Sequence, residues 1–88
     1  MSGDAISSGE LSKLRWRCRR GMLENDLLIE RFFARPIPVT RADSIGLYAL
    51  MELADNDLLD LFLGREMPTE CLDRPEVRHV LQAVQAAR

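Results

Sequence analysis

The chain has 88 residues, 47% of them hydrophobic and 30% charged, with a formal net charge of −2. Those figures describe one globular domain and argue against a disordered chain or a protein that coats nucleic acid. A domain this small buries proportionally little surface, so helix packing or a partner must supply much of its stability.

The opening "MSGDAISSGE" has no apolar h-region and no basic stretch. It predicts a disordered tail over 1–9 rather than a signal or transit peptide. No apolar run approaches the roughly 20 residues that cross a bilayer. From there on apolar residues follow helical spacing, and no segment alternates as a half-buried strand would. The first helix is expected from about Glu10 to Arg20, with Leu11, Leu14 and Cys18 on one stripe. Gly21 follows as the C′ residue, where a positive φ is needed. A second helix runs from Met22 or Leu23 to Arg35, stopped by Pro36. Its Leu23, Leu27, Leu28, Ile29, Phe32 and Phe33 are expected to form the centre of the core. Thr40 with Asp43 three residues on makes a shortened capping box for a third helix, Arg41 to about Ala54, burying Ile45, Leu47, Tyr48 and Met51. Asp55 or Asn56 caps a fourth helix that ends at Gly64. "REMPTE" is a loop, and Pro75 opens a fifth helix with Val77, Val80, Leu81 and Val84 on one face. The fold class is all-α: one compact domain of five short helices spanning 10–88.

The inventory for catalysis and metal binding is thin. The one histidine, His79, has no Ser or Cys at triad spacing and is expected at the surface or boundary. Together with Cys18 and Cys71 it is too few ligands for a structural zinc site. Two distant cysteines make no disulfide framework and fit a reducing compartment, most simply the bacterial cytoplasm. Asp55, Asp57 and Asp60 lack the third ligand and the glycine of a calcium loop, because Leu59 stands where the third ligand would be. No G-x-G-x-x-G or Walker loop is present. The protein is therefore expected not to be an enzyme.

The charge is unevenly spread. Seven cations face three anions between Leu11 and Arg35, a net of +4, while Glu52 to Asp60 holds four acids and no base. The densest stretch is "RWRCRRGMLEND". Helix dipoles explain each charge singly, with arginines near a C-terminus and Glu24 near the next N-terminus. They do not explain the concentration, since clustered cations need counter-charge from the protein's own acids or from a partner. Arginine forks and the broad amphipathic surface of a tryptophan are typical interface anchors. On local geometry Trp16, Arg19 and Asp26 belong to such a surface.

The segment "WRCRRGMLENDLLIERFF" resembles the family of small helical succinate dehydrogenase assembly factors, the SdhE or FAD assembly factor family. The hallmark Arg-Gly-x-x-Glu is present as Arg20, Gly21 and Glu24, after a tryptophan and before an acid two positions past the Glu. The similarity continues through Phe32–Phe33, "LMELADNDLLDLFLG" and the "MP" loop, from about Leu11 to Ala83. It implies a compact five-helix domain. It also implies a dedicated chaperone that promotes covalent attachment of FAD to a histidine of its client. That client is the flavoprotein subunit of succinate dehydrogenase, and in some bacteria that of fumarate reductase. Arg20, Gly21 and Glu24 would lie in the client-binding surface, close to the client's FAD pocket. FAD would belong to the client, with no cofactor or metal held stably by this chain, which would be a monomer or weak dimer. Leu61 and Phe62 could support such a dimer, but core packing is their expected use.

Two further readings stay open on the residues alone. A helix-turn-helix module for nucleic acid is disfavoured by net acidity and the lack of a second basic helix. A generic helical adaptor or antitoxin-like module would use the same corner on another client.

Overall fold

Ser7 begins the helical structure. Its hydroxyl accepts from the Glu10 N–H at 3.1 Å, and Glu10 Oε1 accepts from the Ser7 N–H at 3.0 Å, a complete capping box. In the computed structural model, which describes residues 4–19 and 21–87, this cap starts α1 (Ser8–Arg17) ahead of the expected Glu10. Part of the stretch ahead of α1 also makes backbone hydrogen bonds. The Arg41 N–H donates to the Asp4 carbonyl at 2.8 Å and the Ile6 N–H to the Val39 carbonyl at 3.0 Å, so this backbone is tied down. Residues 1–3 lie outside the described residues.

Glu10 also meets Arg41, Nη1 to Oε2 at 3.2 Å. The Ser7 N–H first, and then the Arg41 guanidinium, lower its pKa from 4.5 to about 2. A depressed carboxylate stabilises the fold fully above 4.5, and that contribution is lost as pH falls through about 2. The melting-temperature gap between the wild type and Glu10→Gln should therefore close on acidification from about pH 5 to about pH 2. A gap that stays constant over that range would show that the carboxylate adds nothing beyond a neutral cap.

α1 buries Leu14 and Cys18 with Leu11 against their edge, as the stripe predicts. It stops at Arg17, with Cys18 as its C-cap, short of the expected Arg20. Gly21 does take a positive φ of 88°, but it shapes the connection beyond the cap instead of forming the C′ position. α2 (Leu23–Phe33) has Met22 as N-cap and Ala34 as C-cap, so it ends two residues before the expected Arg35. Its buried face is Leu28, Ile29 and Phe32 together with Asn25. Leu23 and Leu27, expected in the core, are 68% and 47% exposed. They sit on the opposite side of the helix from Phe32, where no other helix covers them. Arg35 closes this helix: its Nε donates to the Phe32 carbonyl at 3.0 Å and its guanidinium lies 4.0 Å from the Phe32 ring centroid.

α3 (Arg41–Leu50) starts with the expected capping box, Thr40 N–H to Asp43 Oδ2 and Asp43 N–H to Thr40 Oγ1, both 3.1 Å. Asp43 is also buried, with Arg35 Nη2 3.7 Å from Oδ2 and His79 Nε2 3.5 Å from Oδ1, so it joins α2, α3 and α5. α3 ends at Leu50 rather than Ala54. Leu47 and Met51 are buried, but Ile45 and Tyr48 are each 40% exposed, against expectation. α5 covers one side of α3 only, and these two residues face away from it.

α4 (Asp55–Phe62) is preceded by Ala54 as N-cap, so neither Asp55 nor Asn56 caps it. Asp55 and Asp57 instead lie in its first turn, where the helix dipole favours acids. Gly64, at φ 78°, is the C′ residue of a full Schellman motif: Gly64 N–H reaches Leu61 O at 3.1 Å and Arg65 N–H reaches Asp60 O at 2.9 Å. A single 3₁₀ turn, Glu70–Leu72, begins at the last residue of the expected loop. Pro75 then opens α5 (Pro75–Ala86), whose Val77, Val80, Leu81 and Val84 are all buried. Leu61 and Phe62 are core residues. The five helices enclose one core, and α1 with the start of α2 forms a corner at its surface.

Candidate interaction surface

The corner is built by what holds α2's first turn in place. Met22 offers no side-chain cap, so two other side chains take over. The Asp26 carboxylate accepts from the Gly21 N–H at 3.3 Å, fixing the left-handed residue to the helix it precedes. Asn25 is fully buried, and its Nδ2 donates to the Asp55 carbonyl at 3.0 Å, pinning α2 to the start of α4. Asn25→Ala removes that bridge and leaves a gap, at a cost of roughly 1–3 kcal/mol. The expected sign is a lower urea midpoint at unchanged m-value, and an unchanged midpoint would show that the pin is dispensable.

With the turn fixed this way, Gly21 is exposed and a Cβ built on it would meet nothing within 4 Å. Space does not dictate glycine there; the positive φ does. Glu24 lies next to it on the outer side of α2, exposed and without an ion pair or side-chain hydrogen bond among the described residues. Trp16 is 75% exposed, and the Arg19 guanidinium sits 5.7 Å from its ring centroid. Trp16, Arg19 and Asp26 line one groove of about 400 Å³ between α1 and α2, floored by Ile29 and Phe33. Arg20, the remaining predicted site residue, lies outside the described residues.

The arginine concentration has a partly internal explanation. Arg15 Nη2 lies 3.6 Å from Glu30 Oε1, with its guanidinium 5.0 Å from the Phe33 ring centroid. Arg17 Nη2 reaches Glu52 Oε2 at 3.2 Å and the Met51 carbonyl at 3.3 Å, tying α1 to the end of α3. Counter-charge for these two therefore comes from the protein's own acids. Arg19 makes no ion pair among the described residues. Sequence reasoning missed Asn25, Ile29, Glu30 and Phe33 as parts of this corner. An asparagine inside an otherwise apolar helical face was the signal that could have marked the first. Among the described residues no helix is long and apolar enough to cross a membrane.

Comparison with known proteins gives the corner a context. The family described as "Flavinator of succinate dehydrogenase" matches residues 12–87. The FAD assembly factor SdhE of Ralstonia nicotianae is 53% identical over 76 residues, covering 85% of this chain and 80% of the relative. The FAD assembly factor SdhE of Pseudomonas aeruginosa is 38% identical over 77 residues, covering 86% and 92%. That of Coxiella burnetii is 35% identical over 71 residues, covering 80% and 87%. No solved structure gives a significant match. The matched span takes in all of α2 to α5 and most of α1, and the chain belongs to the FAD assembly factor family, the flavinators of succinate dehydrogenase.

Proposed function

We propose that this protein is a dedicated chaperone that promotes covalent attachment of FAD to the flavoprotein subunit of succinate dehydrogenase. The observation that carries the reading is family membership across nearly the whole chain. The same surface would serve the flavoprotein subunit of fumarate reductase in cells that make one. The exposed Gly21–Glu24 turn beside Trp16 and Arg19 supports a protein–protein role. It presents a carboxylate with no partner among the described residues, a guanidinium over the indole ring and a stretch of backbone with no side chain in the way.

The chemistry stays with the client, whose FAD and histidine must adopt a near-attack arrangement before a bond can form. A bound chaperone raises the population of that conformer in proportion to its preference for it. Glu24 would accept from client backbone or arginine groups. Arg20 carries its role, pairing a client carboxylate, through the Arg-Gly-x-x-Glu spacing alone. No resident cofactor is required, and the place of action is the cytoplasm. The free protein is a monomer or weak dimer. Burial of Leu61 and Phe62 leaves such a dimer to other apolar residues.

The test mixes apo flavoprotein subunit and FAD with and without this protein, then reads flavin fluorescence on a denaturing gel. Wild type should speed the covalent signal. Glu24→Ala should lower it about tenfold, in line with truncation of an interface anchor, at an unchanged melting temperature. Full activity of Glu24→Ala would remove that residue from the surface. No stimulation by the wild type, with no complex on a sizing column, would end the flavinylation reading and favour an adaptor with a different client.

A further inference from the structure

The groove between α1 and α2 has a charge and shape that limit what can occupy it. At about 400 Å³ it falls at the small end of ligand-sized clefts, roughly 300–1,000 Å³. That is room for one or two side chains, not for a helix. Ile29, Phe33 and the Trp16 ring give it apolar surface. The polar groups around it are mostly engaged. Arg15 and Glu30 face each other at 3.6 Å, and the Asp26 carboxylate takes the Gly21 N–H at 3.3 Å. Arg19 is different. Its guanidinium carbon lies over the Trp16 ring, 5.7 Å from the centroid, and no acid among the described residues pairs with it. A guanidinium with no acid partner keeps its N–H edge available, the edge that binds a carboxylate through two parallel bonds.

We propose that this groove receives a segment of the client polypeptide in which a large apolar side chain stands next to an acidic one. The apolar side chain enters between Trp16 and Phe33, and the acid meets the N–H edge of Arg19 on the rim. The proposal rests on the client reading above and adds the chemistry of the docked segment. It gives a use to two features of the free protein: an indole three-quarters exposed to water and a guanidinium with no acid partner among the described residues. Engagement here would also seat the client over Gly21 and Glu24, one turn away.

Trp16 is the chain's only tryptophan, so protein labelled with 5-fluorotryptophan gives a single ¹⁹F resonance. Unlabelled apo flavoprotein subunit is titrated into the labelled full chain, and affinities are measured across a salt series. The resonance should shift on binding. Ser12→Phe, which fills the groove from an exposed position on α1, should weaken binding at least tenfold without lowering the melting temperature. Arg19→Gln should weaken it and flatten the salt dependence. If the client binds with the ¹⁹F resonance unmoved and Ser12→Phe unaffected, the groove is not the receptor, while the client reading stands. If the wild type forms no complex at all, both fall.

Discussion

Gly46→Ala is expected to lower the melting temperature by roughly 10–20 °C. Helix propensity alone predicts the opposite sign, because alanine is favoured over glycine inside a helix by about 1 kcal/mol. Packing decides against it. A Cβ on Gly46 would lie 2.5 Å from the Glu76 carbonyl oxygen, 2.9 Å from its carbon and 3.0 Å from Val80 Cγ2. Two of those atoms are backbone in the first turn of α5 and cannot rotate aside. The methyl group must therefore push α3 and α5 apart, loosening Val77, Val80, Leu81 and Val84, all now buried. Overpacking of this kind costs roughly 1–3 kcal/mol and more when backbone must move, and each kcal/mol shifts Tm by about 4–8 °C in a domain this small. Thermal melts followed by circular dichroism measure it directly. A melt at or above the wild-type temperature would mean that the two helices separate at no cost and that propensity wins.

Gly46 also shows where the sequence stops being legible. In the pattern "RADSIGLYAL" it looks like a blemish in a helix, and only the crossing of α5 thirty residues later explains it. The features that could be read directly were local. The Thr40–Asp43 capping box, the Gly64 stop and Pro75 at the start of α5 each involve atoms within a few residues of one another. The face of α2 could not be read because apolar residues surround most of that helix. Which of them turn inward depends on the helices that cover it, and Leu23 and Leu27 were left outside. The arginine stretch behaved the same way. Arg17 finds Glu52 across 35 positions, and Asn25 finds the Asp55 carbonyl across 30. The Gly21–Glu24 turn was legible through its spacing and its resemblance to a family. The groove beside it was not, because it exists only once α1 and α2 are packed together.

Substitutions at Gly21 should separate two roles that a single variant would confound. The residue holds φ at 88°, which costs an L-residue about 1–2 kcal/mol and a β-branched one more. Asparagine tolerates that conformation better than other side chains, and no neighbouring atom within 4 Å opposes its Cβ. Gly21→Asn should therefore melt within a few degrees of the wild type, while Gly21→Val should lose roughly 2 kcal/mol and melt well below it. Flavinylation is expected to follow a different order. The open space around Gly21 is solvent in the free protein, and on the proposed reading it is where the client backbone approaches in the complex. Any side chain there stands between the two chains. Both variants should then bring flavinylation close to the uncatalysed background, Gly21→Asn without the loss of stability. A Gly21→Asn protein that melts normally and supports full flavinylation would show that glycine serves only the turn. The client's approach would then have to be carried by the Trp16–Arg19 side of the corner.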